Sequence, residues 1–190
     1  IWGEAAFTTG MSGYQETMTD PSFLGQHIIF TTSHVGSYDS DDSVNQSSKI
    51  HATAVIGRNF SENQFLLKCD KPIISGIDTR SLVKFLTRRE CSHKCVITNS
   101  PTFPGLEAFS KSKLITDDLH LVSQASKKIL REGPNPIAII NYGIKQSIID
   151  NILQLNCPTV IYPYNVKASE IVKDSPRLIF LSNGPGDPRN

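Results

Sequence analysis

From Pro136 onward the chain alternates between two hydrophobic rhythms, and that alternation limits the possible folds more than any other feature. Ile137 to Ile140 is a continuous apolar run, after which Ile144, Ile148, Ile149, Ile152 and Leu155 recur at helical spacing up to Asn156. The period changes from that of a strand buried on both faces to that of a helix with one apolar stripe. Thr159 to Tyr162 (TVIY) predicts a second strand, Ala168 to Lys173 a short helix, and Leu178 to Leu181 (LIFL) a third strand. Such an order predicts a parallel, right-handed β-α-β-α-β unit. Ligands of these sheets bind beyond the C-terminal ends of the strands, where LIFL runs into Ser182-Asn-Gly-Pro-Gly-Asp-Pro188.

That turn holds two glycines and two prolines. Gly184 and Gly186 can adopt backbone conformations closed to other residues and let a ligand approach the main chain, while the prolines stiffen it. Successive N–H groups in such a turn can form a nest for a carboxylate or a developing oxyanion. Taken alone, the pattern fits a plain tight turn equally well.

The first half reads as a small mixed α+β domain. Gln26 to Thr32 and His51 to Ile56 are rich in β-branched residues and predict strands, and Gly36 to Lys49 between them predicts a mobile polar surface loop. Asp39, Asp41 and Asp42 in that loop lack the central Gly and closing Glu of a calcium loop, so they read as solvated. Asp78 or Thr79 can cap a helix through Glu90 whose apolar face is Leu82, Val83, Phe85 and Leu86. Cys91-Ser-His-Lys-Cys95 puts three soft ligands in five residues, short of the four a closed zinc site needs, and favours buried thiols. Gly105 to Arg131 is weakly helical and polar, and Glu132-Gly-Pro-Asn-Pro136 predicts a linker, giving domains at 1–131 and 136–190. In the N-terminal segment from Gly3 to Pro21, Gly10 and Gly13 bracket a turn, Gln15 and Glu16 offer polar side chains beside it, and a strand, turn and Pro-directed bend are expected.

Composition removes several classes. Among 190 residues, 19 Lys and Arg face 18 Asp and Glu, a formal charge of +1, which leaves no electrostatic footprint for nucleic acid. The longest apolar runs are far shorter than the roughly 20 residues that cross a bilayer, so no membrane association is expected. Four scattered cysteines do not make a disulfide scaffold, and a reducing cytoplasm is the expected location. The chain opens on Ile1 without a signal-peptide pattern and reads as an excerpt of something longer.

Five motifs in order carry a resemblance: GEAAFTTGMSGYQETMTDPSFLGQ, SHVG at Ser33 to Gly36, GIDTRSLVKFL at Gly76 to Leu86, NYGIKQSIIDNI at Asn141 to Ile152, and IFLSNGPGDP at Ile179 to Pro188. Together they resemble the small chain of glutamine-hydrolysing carbamoyl-phosphate synthetase from Gly3 to Pro188. The resemblance implies a family-specific N-terminal domain followed by the start of a doubly wound class I glutamine amidotransferase domain. It implies an activity in which glutamine is hydrolysed and the ammonia passes to a large synthetase chain that makes carbamoyl phosphate for arginine and pyrimidine synthesis. The implied partners are that large chain and glutamine, with no cofactor and no metal. Gly10 matches the glycine or serine of the family's NT[SG]MTGYQE motif beside glutamine, and Gly184 and Gly186 match the glycines whose main chain contacts it near the scissile amide.

The family's nucleophile lies in a Gly-x-Cys-x-Gly elbow and its base in a His-x-Glu pair. Here the cysteines read KCD, ECS, KCV and NCP, and the residues two positions after the five histidines are Ile29, Gly36, Thr53, Cys95 and Val122. A thiol mechanism needs thiolate, base and orienter in one site, so these 190 residues are expected to contain no catalytic residue and not to hydrolyse glutamine alone. Asn141-Tyr142 also stands where the family commonly has Asp-Phe or Asp-Tyr. The second domain is expected to be incomplete, with Leu178 to Leu181 left as an unpaired, exposed edge.

Overall fold

A computed structural model describes residues 1–88, 93–100, 102, 105–111 and 126–187. They fall into two compact units, the first beginning at Ile1 and the second running to Pro185. The fold is α/β, with a mixed sheet in each unit.

The first unit is built on β1 (Trp2–Thr8), β2 (Gln26–Phe30), β3 (Ala54–Ile56), β4 (Ile73–Ile74) and β5 (Lys94–Val96), in the order β4-β3-β2-β1-β5. Neighbours from β1 to β4 run parallel, and β5 is antiparallel to β1. Alternation along β2 divides the core. Ile28 and Phe30 pack with Val55, Leu66 of α2 (Gln64–Leu67), and Tyr14 and Met18 of α1 (Tyr14–Thr19). Ile29 turns to the other face, against Ala5, Ile56 and Leu86 of α3 (Thr79–Leu86).

Three expectations change here. The bend expected before Pro21 is the helix α1, because Tyr14 and Met18 stand one turn apart and both bury against the sheet. Asp78 caps α3 as expected, accepting from the Ser81 amide at 3.0 Å, but the helix ends at Leu86 and Glu90 lies outside the described residues. Phe85 is not on the core face: it is 53% exposed, with the Arg88 guanidinium 5.7 Å from its ring centre. Leu82, Val83 and Leu86 cluster around one direction, and at 100° per residue Phe85 falls roughly 100° away from it. A short helix α4 (Leu106–Lys111) follows, with Lys111 bonded to Glu107 one turn back.

The second unit contains β6 (Lys128–Arg131), β7 (Ile137–Asn141), α5 (Gln146–Gln154), β8 (Thr159–Pro163), α6 (Ala168–Lys173) and β9 (Leu178–Leu181), with sheet order β6-β8-β7-β9. β7 pairs in parallel with both β8 and β9, the expected β-α-β-α-β unit. One face packs Ala138, Ile140, Val160 and Tyr162 with Ile171 of α6. The other packs Ile137, Ile139 and Ile161 with Ile144 and, from α5, Ile148, Ile149 and Ile152. Leu155, expected on that stripe, is 62% exposed because α5 ends at Gln154.

β6 departs from the expected weak helix and from a first domain reaching Arg131. It joins the second sheet antiparallel to β8, which makes Glu132 to Pro136 a turn inside the second unit. Ile129 and Leu130 follow three charged or polar residues and carry too short an apolar signal to reveal a strand before its partner is known. At the opposite side β9 pairs only with β7 among the described residues, and Leu178, Ile179 and Leu181 are each at least half exposed.

Candidate functional site: two glycine turns

The first turn follows β9. Because β7 and β9 are parallel and paired from Ile137 with Leu178 to Ile140 with Leu181, their C-terminal ends emerge side by side. The Ser182 amide continues the ladder to the Ile140 carbonyl at 3.1 Å. Its hydroxyl accepts from the Tyr142 amide at 2.9 Å and donates to the Asn183 carbonyl at 2.6 Å. The Asn141 carboxamide oxygen accepts from the amides of Gly143 and Ile144 at 2.9 and 3.0 Å, the Asx-turn work that an aspartate would do equally well. An aspartate in place of Asn141 would therefore preserve the turn.

Gly184 lies against this scaffold so closely that a Cβ would stand 1.8 Å from the Tyr142 carbonyl oxygen and 2.9 Å from Tyr142 Cβ. No side chain fits there without moving backbone. Gly186 has φ +90°, the left-handed region that favours glycine. Pro188, the last residue of the motif, lies outside the described residues. The SNGPGDP motif singles out the glycines, whereas their props, Ser182 and Tyr142, carry no chemical signature of their own.

The second turn follows β1. Gly10 is exposed, and its amide donates to Thr8 Oγ1 at 3.2 Å. A Cβ there would lie 3.4 Å from Thr8 Oγ1 and from the Ser12 carbonyl, a tight but feasible fit. Gly13 has φ +80° and opens α1 without a side-chain cap. Its amide donates instead to the Tyr38 hydroxyl at 2.7 Å.

Gln15 does not offer its side chain to the turn. It is 1% exposed, and its amide nitrogen donates to the Asp41 carbonyl and to Asn45 Oδ1 at 2.8 Å each, while its oxygen accepts from the Asp41 amide at 3.2 Å. Thr19 Oγ1 accepts from the Gln46 amide at 2.9 Å, and Ser47 Oγ donates to the Thr19 carbonyl at 2.7 Å. The polar stretch Gly36 to Lys49, expected to be mobile, is thus tied along α1. Asp41 caps the short turn at Asp42 to Val44, and hydrogen bonds from the Ser43 amide and hydroxyl hold its carboxyl below the usual carboxylate range.

Among the described thiols and imidazoles His27 is fully buried, His51, Cys69, Cys95 and Cys157 are partly so, and His34 and His93 are exposed. Burial pushes Cys69 and Cys95 up, against the lowered pKa of a reactive thiol. Cys95 packs beside Ala5 and Leu86, and His93 Nε2 lies 3.1 Å from the Leu86 carbonyl. Cys91 and His120 lie outside the described residues. Burial lowers the pKa of His27, as it does for His51, where Lys49 adds to the effect. Among the described residues no three His, Cys, Asp or Glu side chains are grouped to hold a metal, and no helix is long and apolar enough to cross a membrane.

Residues 1–97 match the family described as carbamoyl-phosphate synthase small chain, CPSase domain, and residues 138–190 match glutamine amidotransferase class-I. The second match begins inside β7 and ends across the Gly184 turn. The carbamoyl phosphate synthase small chain of Clostridium acetobutylicum is 36% identical over 204 residues, which take in 100% of this chain and 57% of the relative. That of Listeria monocytogenes is 37% identical over 201 residues, 99% of this chain and 55% of the relative. The arginine-specific small chain of Halalkalibacterium halodurans is 35% identical over 203 residues, with 100% and 55% covered. The chain spans little more than half the length of these relatives. With both glycine turns inside the matched segments, the chain belongs to the carbamoyl-phosphate synthase small-chain family, as its N-terminal domain joined to part of a class I glutamine amidotransferase domain.

Proposed function

We propose that these residues form the glutamine-contacting turns of a glutaminase subunit, which hydrolyses glutamine and delivers ammonia to a large synthetase chain for carbamoyl phosphate, the precursor used in arginine and pyrimidine synthesis. Gly10 on the first unit and Gly184 and Gly186 after β9 are the contact residues. The observation that carries this reading is the packing of Gly184 on the Tyr142 carbonyl, a contact that only glycine allows, at the sheet end where ligands of parallel sheets bind. A backbone amide held rigidly beside the scissile carbonyl stabilises the oxyanion that develops there, by roughly 3 kcal/mol per donor. The family names of the matched segments and of the relatives support the substrate and the partner.

Within this reading the domain division falls before β6, and the 190 residues bind without cleaving. None of their cysteines is flanked by the glycines of a nucleophile elbow, and no His-x-Glu pair occurs. The test is a chimera in which this chain continues past Asn190 with the remaining part of the Clostridium acetobutylicum small chain. Ammonia release from glutamine by the chimera and none from the 190 residues is the expected result. A folded chimera that binds the large chain but releases no ammonia would instead favour a module that has kept only its partner contact.

A further inference from the structure

The turn bearing Gly10 is held at one end by β1 and at the other by a residue that is remote in sequence. Gly13 has no side chain with which to cap α1, and the first amides of a helix have no partner within it. The Tyr38 hydroxyl supplies the cap from 25 positions away, accepting from the Gly13 amide at 2.7 Å and lying 3.4 Å from the Tyr14 amide. The rest of Tyr38 is fixed independently of that hydroxyl. Its carbonyl accepts from the Tyr14 hydroxyl at 3.1 Å and from Asn63 Nδ2 at 2.9 Å, and its ring lies 4.8 Å from that of Tyr14. The side chain is 41% exposed, so deleting its hydroxyl opens no buried cavity. The bonds that depend on the hydroxyl are therefore those from the Gly13 and Tyr14 amides, at the foot of the Gly10 turn.

We propose that Tyr38 is a positioning residue that sets the conformation of the Thr9 to Gly13 turn and thereby the affinity for glutamine. This rests on the proposed function for its second half alone. Tyr38→Phe keeps the ring and its packing and removes only the cap. Loss of one such hydrogen bond is expected to speed amide exchange at Gly13 and Tyr14 by about tenfold, with exchange at β2 unchanged. In the chimera described above the same variant should raise KM for glutamine by about tenfold while kcat changes less than about twofold. A variant-free measurement accompanies it: in the unaltered 190-residue chain the Gly13 amide should exchange at least about tenfold more slowly than that of Met11, relative to intrinsic rates.

Equal protection of Gly13 and Met11, or an exchange change spread over the whole first unit, would overturn the positioning role. A loosened turn with unaltered KM would overturn its link to glutamine. If the unaltered chimera hydrolyses no glutamine, the functional reading fails, and slow exchange at Gly13 that depends on the hydroxyl still upholds the positioning of the turn.

Discussion

The two glycine turns are ordered by opposite means. After β9 the order is steric: Gly184 packs on the backbone of Tyr142, the residue that follows β7, and a single methyl group would collide with the Tyr142 carbonyl. After β1 the order is polar: Gly10 has room for a Cβ, and the turn is held by Tyr38, with Gln15, Thr19 and the loop Asp41 to Ser47 securing the helix behind it. A steric turn of this kind tolerates no substitution and little adjustment. A polar one can absorb a substitution at the glycine yet depends on side chains far from it in sequence.

This contrast breaks most readily at Gly184. Gly184→Ala should cost the second unit at least about 3 kcal/mol, since the obstacle is backbone that cannot rotate away; denaturant unfolding followed by amide exchange at Ile139 would show the loss, and a loss under 1 kcal/mol, about the noise of ordinary surface changes, would refute the steric account. Next in size, Gln15→Ala should destabilise the first unit by about 2 kcal/mol, because it leaves the Asp41 amide and carbonyl and Asn45 Oδ1 without their buried partner. Calorimetry of the variant checks this, and the second unit should be untouched. Gly186→Ala should cost about 1 kcal/mol, the strain of a left-handed φ in a residue with Cβ.

A further difference between the units is graded with pH. His27 and His51 belong to the first unit and have folded pKa values lowered by burial, while the described residues of the second contain no histidine. Below the ordinary value of 6.5 the unfolded chain binds protons that the folded chain does not, so first-unit stability should fall as pH drops through 6.5 toward the folded values. The capping carboxylates Asp41 and Asp78 are also lowered, chiefly by the Ser43 and Ser81 amides, and act in a separate window below their ordinary 3.8. Unfolding curves at pH 7.5 and 5.5 distinguish the two units, and a first unit equally stable at both would contradict neutral buried imidazoles. The smallest effect is expected for Gly10→Ala, within about 0.5 kcal/mol by thermal unfolding, since nothing but the far side of Thr8 and the Ser12 carbonyl approaches the added methyl.

Much of the second unit was legible because its signals are local. Strands such as IAII and TVIY are buried at every one of these positions and show no polar alternation, and Ile148, Ile149 and Ile152 mark one helix face without tertiary information. β6 was not legible, since a strand of four residues with two cations declares itself only through β8. In the first unit α1 was hidden for a related reason. Its six residues include Gln15 and Thr19, which look like surface groups and whose burial depends on a loop more than 20 residues downstream. Gly10, Gly184 and Gly186 are singled out by motif order, whereas Tyr38, Ser182 and Tyr142 act through a hydroxyl or a backbone oxygen whose partner no spacing reveals.

The central claim is that Gly10, Gly184 and Gly186 contact glutamine, and the most direct measurement is the amide spectrum of the nitrogen-15-labelled chimera as glutamine is added. The account predicts saturable shifts at those three glycines, with smaller ones at Gly13 and Tyr142. Hydrolysis of glutamine by the same sample with no shift at any of the three would contradict it.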